Sequence, residues 1–194
     1  MHPRIYREFE RICSEKKTEG NILEVGAIPS DRSLLNMKSL KNASKKTGIN
    51  LDGPCHYHDF HILKGNANHM TCFEDETFDV VLCNATLEHD KFFWKSIAEF
   101  KRVAKPGGLI VICAPGYIKL ACEKFFIFKL LRKIRLFKSI AASTLTFHVH
   151  RSPGDYYRFG TQAFEEVFFR EMTDVNVYSI MVPPRIIGYA RKPR

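Results

Sequence analysis

The stretch that decides the fold is ETFDVVLCNATLEHDKFFWKSIAEFKRVAKPGGLIVICAP, residues 76–115. It contains two apolar runs, at 77–85 and 109–115, each short enough for a buried strand. Between them, residues 91–104 repeat apolar side chains at helical spacing, and the KPGG sequence at 105–108 is a helix stop signal. A strand, a helix and a second strand in this order predict two parallel strands in one sheet, with a helix on its face.

Weaker patterns on either side of this stretch add further elements. The other predicted helices are a leading helix with Ile5, Phe9 and Ile12, a weak helix over 31–41 and a capped helix over 161–172; the other predicted strands are 21–25, 46–51, 58–65, 175–182 and 185–192. The last two strands are joined at Pro183-Pro184, and so short a link requires antiparallel pairing. The sequence therefore predicts an α/β fold with a seven-stranded, mainly parallel sheet, an antiparallel final strand and helices on both faces.

The composition favours a single folded domain, 1–194. Of the 194 residues, 45% are hydrophobic, which argues against general disorder. Residues 1–20 are charged throughout and contain no apolar segment, so no signal peptide is predicted. The six cysteines form no Cys-x-x-Cys pair and do not look like a secreted disulfide framework. We therefore expect a cytoplasmic protein.

Five segments, taken in order, resemble the class I S-adenosylmethionine-dependent methyltransferases, and within them the methyltransferase type 11 group. They are NILEVGA (21–27), TGINLDGP (47–54), GNANHM (65–70), the stretch 76–115 and HRSPGDYYRFGTQAFEEVF (150–168). The resemblance touches most of 20–190 apart from 117–147. It implies a Rossmann-like fold, an S-adenosylmethionine cofactor, and transfer of a methyl group to an oxygen or nitrogen atom of an unidentified acceptor.

The resemblance also implies cofactor-binding residues at the carboxyl ends of four strands, where ligands of open parallel sheets bind. These residues are Glu24, Val25, Gly26, Ala27, Asn50, Leu51, Asn66, Ala67, Asn68, Asn84, Ala85 and Leu87. For Glu24, which resembles the family's acid near the methionine part of the cofactor, the alternative is a strand end that faces the surface.

The sequence departs from the family pattern in the first loop and at two acids. Ile28 and Ser30 replace loop glycines, and Asn50 and Asn66 replace acids that are usual in the family. Asp52 is an alternative ligand for the ribose. The missing glycines also argue against a Gly-x-Gly-x-x-Gly dinucleotide site. These departures leave a second hypothesis, a catalytically decayed methyltransferase-like protein that acts as a binding or scaffold module.

Candidate catalytic and substrate residues lie in two polar turns. Histidine side chains titrate near neutral pH, so His89 and His150 are candidates for the base that takes a proton from the acceptor. For His89, the alternative is a turn that lines the pocket without taking part in chemistry. Asp155, Tyr156 and Arg158 are candidate substrate ligands, with Arg158 suited to an anionic group. The alternative is that Asp155 and Arg158 form a structural ion pair.

The segment CHYHDFH at 55–61 has several side chains of metal-ligand type. Neither its spacing nor a second cluster matches a structural zinc site, so no metal site is predicted.

The positive charge is concentrated in one segment. The formal net charge of the chain is +9, and residues 117–140 hold seven lysines or arginines and one glutamate. Apolar and basic residues recur there at helical spacing, so 117–147 is predicted to be a basic and apolar helical insertion or lid. We expect it to meet a small-molecule or lipid-linked anionic substrate. Peripheral contact with the inner membrane surface through 117–140 is the second option, and nucleic acid (RNA) is the third. The oligomeric state is not fixed by the sequence.

Overall fold

The computed structural model describes residues 1–119, 144–146 and 154–194, which are built around one central sheet. The strands are β1 (Gly20–Val25), β2 (Ala43–Asn50), β3 (Cys55–Tyr57), β4 (Phe60–Lys64), β5 (Phe78–Asn84), β6 (Ala104–Pro115), β7 (Tyr117–Lys119), β8 (Thr144–Thr146), β9 (Thr173–Ile180) and β10 (Arg185–Arg191). Eight of them form the sheet in the order β3-β4-β2-β1-β5-β6-β10-β9, and β7 pairs with β8 in a separate two-stranded sheet.

The middle of the sheet is parallel. β4, β2, β1, β5 and β6 are joined by parallel pairings, and the runs at 77–85 and 109–115 become the neighbours β5 and β6 as predicted. The chain moves outward from β1 through β2 to β4 and then returns to β5 on the other side of β1. The order therefore reverses between β1 and β5, where open parallel sheets bind ligands.

Both ends of the sheet contain antiparallel strands. β10 pairs antiparallel with β6 and with β9, which confirms the predicted closing pair. At the other edge, β3 pairs antiparallel with β4, so the sheet has eight strands instead of the predicted seven. The sequence prediction missed this hairpin because its turn residue His58 has a positive φ of 50° without the usual glycine signal.

Helices cover both faces of the sheet, as predicted. α1 (Pro3–Glu15) packs Ile5, Phe9 and Ile12 on one face, while α2 (Phe93–Val103) packs on the other. α3 (Thr161–Ala163) lies on the same face as α2 and continues into a π-helical turn over Phe164–Phe168.

Two predicted helices have different geometry in the structure. Instead of a helix over 31–41, the chain forms two 3-10 turns, Leu34–Asn36 and Lys38–Leu40, separated by the extended residue Met37. Leu34, Leu35, Met37 and Leu40 are all buried, so their spacing reports burial and not an α-helix.

The predicted helix over 161–172 is instead one short α-helical turn, Thr161–Ala163, followed by a π-helical turn, Phe164–Phe168. The Phe169 amide donates to the Phe164 carbonyl at 2.8 Å, which is a bond between residues five apart. This wider turn buries Phe164, Phe168 and Phe169 together.

The predicted helical insertion over 117–147 is wrong at both of its described ends, which are the strands β7 and β8. The rest of the prediction, including 120–143 and the candidate base His150, lies outside the described residues. Among the helices that the structure describes, none is both long enough and apolar enough to cross a bilayer.

Candidate active site

A cleft of about 590 Å³ opens at the carboxyl ends of β1, β2, β4 and β5. The cleft lies where the strand order reverses, between β1 and β5, as the parallel topology predicts. The lining residues are Val25, Gly26, Ile49, Asn50, Leu51, Asp52, Gly65, Asn66, Ala67, Asn68, Ala85, Thr86, His89, Asp90, Lys91, Phe92 and Tyr156. Ten of the predicted site residues are thus brought together, among them Val25, Leu51, Ala67 and Ala85.

The loop after β1 is held in place although it keeps only one glycine. Gly26 has a positive φ of 79°, and its amide donates to the Ile49 carbonyl at 2.9 Å. A Cβ at Gly26 would lie 2.2 Å from Thr86 Oγ1, so a larger residue cannot fit without moving Thr86. The loop therefore packs against both the end of β2 and the turn after β5.

Asn50 ties the first loop to the second strand. Its Nδ2 atom donates to the Ala27 carbonyl at 2.7 Å, and Ala27 itself is buried in the core. A carboxylate at position 50 could not donate this bond, so asparagine suits the loop as this chain builds it. The neighbouring Asp52 lines the cleft and is exposed, and its carboxylate makes no hydrogen bond with any residue that the structure describes.

The opposite wall of the cleft is a polar network. Asn66 Oδ1 accepts a bond from the Asn68 amide at 2.9 Å, which shapes the turn after β4. Asn68 Nδ2 donates to Asp90 Oδ2 at 2.6 Å and to Ser96 Oγ at 2.9 Å, and Ser96 also donates to Asp90. These bonds join the turn after β4 to the start of α2. Sequence reasoning did not find Asp90 and Ser96, because nothing in the pattern links them to Asn68.

Four predicted cofactor residues do not line the cleft. Ala27 and Leu87 are core residues, and Asn84 has a buried Oδ1 atom without a hydrogen-bond partner among the described residues. Glu24 lies next to Val25 on a strand, so its side chain points to the opposite face. There it accepts hydrogen bonds from the Ser33 hydroxyl and, at 3.4 Å, from the Leu35 amide, which holds the first 3-10 turn against β1.

Glu24 offers a test that separates its structural role from a cofactor role. Burial raises the pKa of Glu24, so ionising it in the folded state costs stability as pH rises above the ordinary carboxyl range. Glu24→Gln does not titrate and can still accept from Ser33. We therefore expect its free energy of unfolding, relative to the wild type, to increase from pH 5 to pH 8 in urea titrations, with cofactor affinity within about threefold of wild type.

The exposed Glu74→Gln is the matched control and should show no such pH dependence. Loss of S-adenosylmethionine binding in folded Glu24→Gln would instead show that this carboxyl serves the cofactor.

Next to the cleft lies a buried cluster of charged side chains. Glu88, only 3% exposed, is 3.4 Å from Arg185 Nη1 and 3.9 Å from His89 Nε2. Arg158 makes two hydrogen bonds to Asp155, whose side chain is also buried. The ion pair of the structural alternative is thus formed, and only Tyr156 of the predicted substrate residues reaches the cleft.

His89 is oriented by the segment that carries Tyr156. Its Nδ1 atom is hydrogen-bonded to the Gly154 carbonyl, and because a carbonyl only accepts, Nδ1 must carry the proton. In the neutral ring, Nε2 is then the atom that accepts a proton. The Tyr156 amide also donates to the Glu88 carbonyl at 2.7 Å, so the two turns are fixed to each other.

Arg185 should matter for stability in a pH-dependent way. Burial raises the pKa of Glu88, while the charge of Arg185 opposes that rise. Without Arg185, the pKa of Glu88 would rise further, so Arg185→Met should lower the free energy of unfolding by about 1–2 kcal/mol at pH 8. The loss should be smaller at pH 5, where the carboxyl is more protonated in both states. Chemical denaturation at the two pH values measures it.

Arg170→Met is the control, because Arg170 is exposed and pairs with the equally exposed Glu171. It should change stability by less than about 0.5 kcal/mol. Equal losses for Arg185→Met at pH 5 and pH 8 would contradict the coupling to Glu88.

Comparisons with known proteins agree with this geometry. Residues 30–112 match the methyltransferase domain family. No curated protein matches the sequence. A candidate methyltransferase from Bacillus halodurans C-125 superposes with a TM-score of 0.62 at 13% identity, covering 97% of this chain and 99% of that one.

Two enzymes with bound ligands share the fold. Phosphoethanolamine N-methyltransferase 2 from Haemonchus contortus, with phosphomonomethylethanolamine and S-adenosylhomocysteine, has a TM-score of 0.65 at 14% identity over 99% of this chain. This chain spans about half (53%) of that enzyme. The 1,6-didemethyltoxoflavin-N1-methyltransferase of Burkholderia thailandensis, with its acceptor and S-adenosylhomocysteine, has a TM-score of 0.66 at 14% identity, covering 97% and 78% of the two chains. The chain therefore has the class I methyltransferase fold, and its residues 30–112 match the methyltransferase domain family, as the sequence resemblance predicts.

Proposed function

We propose that the chain binds S-adenosylmethionine in the cleft and transfers its methyl group to an oxygen or nitrogen atom of an acceptor. The observation that carries this proposal is the cleft itself, placed where the strand order reverses and lined by residues from four strand ends. A volume of about 590 Å³ is within the usual range for sites that hold a cofactor.

The lining side chains have the chemistry that the donor requires. Asp52 has a carboxylate available for ribose hydroxyls, and it stands two residues beyond the usual acid. Apolar surface for the adenine ring of the donor comes from Ile49, Leu51 and Phe92. Gly26, which has no side chain, lets the loop backbone approach the donor closely. Asn66 and Asn68 contribute mainly through the turn that they build, because their side-chain hydrogen bonds are made within the protein.

In this reaction the protein has two main roles, to align the acceptor with the methyl donor and to remove a proton from the acceptor. When bound, S-adenosylmethionine supplies a methyl group on a positively charged sulfur atom, which an acceptor lone pair can attack in line. The cleft walls would hold the acceptor in this alignment. His89 would take the proton of a hydroxyl or ammonium acceptor at Nε2, since Nδ1 is committed to the Gly154 carbonyl.

The structural neighbours suggest where to look for the acceptor. The Haemonchus contortus and Burkholderia thailandensis proteins are named as N-methyltransferases, and the first has a phosphorylated amine bound. Amines, including phosphorylated ones, are therefore the first class of acceptor to screen, and lipid-linked anionic molecules are the second.

One observation favours the decayed binding module as the second candidate. Asparagines replace the usual acids at positions 50 and 66, and their side chains are hydrogen-bonded within the protein. Asn50 donates to the Ala27 carbonyl, and Asn66 accepts from the Asn68 amide. If Asp52 does not replace the missing acid, the other carboxylate that lines the cleft is Asp90, which already accepts hydrogen bonds from Asn68, Ser96 and the Phe92 amide.

Calorimetric titration with S-adenosylmethionine and with S-adenosylhomocysteine decides between the candidates. Micromolar binding of both, with no binding of ATP, would support the enzyme. A folded protein that binds neither at millimolar ligand would exclude a free-standing methyltransferase and leave the binding module.

A further inference from the structure

The mouth of the cleft carries exposed apolar side chains from three separate segments of the chain, one of which is the start of α2. Leu51 is 64% exposed, Phe92 and Trp94 are 48% and 50% exposed, and Tyr156 is 48% exposed. Leu51, Phe92 and Tyr156 line the opening, and the Trp94 ring packs edge-on against Phe92 with centroids 5.7 Å apart. We call these four residues the rim. Single exposed apolar residues are ordinary, but a group around one opening is typical of an interaction surface.

The exposure of the rim is not a packing defect. Phe93, between Phe92 and Trp94, packs edge-on against Phe159 at 5.2 Å and contacts Phe168 at 5.7 Å. The first turn of α2 is thus anchored to the core by one ring. With that ring turned inward, the two neighbouring rings project outward.

Two exposed lysines accompany the aromatic rings of the rim. Lys91 Nζ lies 5.5 Å from the centre of the Tyr156 ring, and Lys95 Nζ lies 5.1 Å from the centre of the Phe92 ring. Lysine is depleted in protein–protein interfaces, so this pattern does not favour a protein partner. Rings at headgroup depth beside ammonium groups are instead typical of surfaces that bind bilayers with anionic lipids.

We propose that the rim and its two lysines dock on the surface of a bilayer that contains anionic lipids, so that the cleft opens toward the headgroups. The acceptor would then be an amine or hydroxyl carried at the membrane surface. The identity of the acceptor rests on the proposed function, but docking itself does not require the methyl donor. This surface differs from the predicted contact through 117–140, most of which lies outside the described residues.

Trp94 makes the proposal directly measurable, because it is the only tryptophan in the chain. We expect its fluorescence emission to shift to shorter wavelength when vesicles of phosphatidylcholine and phosphatidylglycerol are added without the methyl donor. Vesicles of phosphatidylcholine alone should give a smaller shift. Donor binding is measured separately by calorimetry without vesicles, so failure of docking and failure of the proposed function are distinguishable.

Charge reversals test the position of the surface. Lys95→Glu should weaken partitioning into the anionic vesicles by about fivefold or more, since each basic residue at such a surface contributes about 1 kcal/mol. Lys41→Glu gives the same net charge, but Lys41 is exposed just before the amino end of β2, whereas the cleft lies at the carboxyl ends of the strands, so this variant should bind nearly as well as the wild type.

Three results would overturn the proposal. The first is no emission shift with either vesicle. The second is equal weakening by Lys95→Glu and Lys41→Glu, which would indicate attraction by net charge alone. The third is a shift that follows protein concentration without vesicles, which would indicate that the rim contacts a second copy of the chain.

Discussion

Replacing Gly26 with alanine should weaken the binding of S-adenosylmethionine by about a hundredfold or more, equivalent to roughly 2.8 kcal/mol. The new Cβ would lie 2.2 Å from Thr86 Oγ1, so the loop and the turn after β5 must separate. Both Gly26 and Thr86 line the cleft, and the movement would change its floor. The positive φ adds strain for any residue with a side chain. Calorimetric titration of the purified variant measures the loss.

Gly107→Ala is a closely matched control. Gly107 has nearly the same φ, 76°, but its Cβ would meet only Arg194, at 3.6 Å, beside the starts of the strands. Both variants should lose about 1–2 kcal/mol of stability from the backbone strain, but Gly107→Ala should bind the donor normally. Normal binding by Gly26→Ala would contradict the assignment of this loop to the cofactor.

The elements that could be predicted from sequence are those with long periodic or strongly apolar patterns. The leading helix, β5, α2 and β6 are of this kind, and the succession β5, α2, β6 predicts the parallel pairing of β5 with β6. The errors occur where local hydrogen bonds override the pattern. The connection between β1 and β2 forms two 3-10 turns, the first of which is held by the buried Glu24. The helix predicted over 161–172 widens into a π-helical turn that buries Phe164, Phe168 and Phe169.

The candidate site was predictable to the extent that backbone topology determines it. Residues directly after parallel strands converge on one edge, so Gly26, Asn50, Asn66 and Ala85 could be named without knowledge of any side-chain contact. The directions in which the side chains point were harder to predict than the positions of the residues. Contacts between distant segments left no local signal, as in the pairing of Arg185 with Glu88.

The departures from the family pattern make physical sense as a group. A loop that loses glycines also loses backbone freedom, and here the Asn50 amide holds its Ala27 carbonyl. An acid at position 50 would repel that carbonyl. Asparagine at position 50 is therefore compatible with a preserved cleft, and the negative charge that an acid would place there is available from Asp52.

His89→Asn should lower kcat by about a hundredfold to ten-thousandfold with the first acceptor that gives turnover, while the donor affinity stays within about threefold of wild type. Asparagine can place its amide near the position of Nδ1 and still donate to the Gly154 carbonyl. It has no nitrogen that accepts a proton in place of Nε2. The substitution thus removes the proposed base while keeping the contact that joins the two turns.

His61→Asn, on the exposed surface of β4 away from the cleft, is the control and should leave kcat unchanged. A His89→Asn enzyme with wild-type kcat would show that alignment alone drives transfer and that His89 only lines the cleft. A raised KM for the acceptor at constant kcat would assign His89 to acceptor binding, because an interaction equally strong in the ground and transition states changes only KM. The separation of kcat from KM therefore distinguishes the three roles that the geometry allows for this side chain.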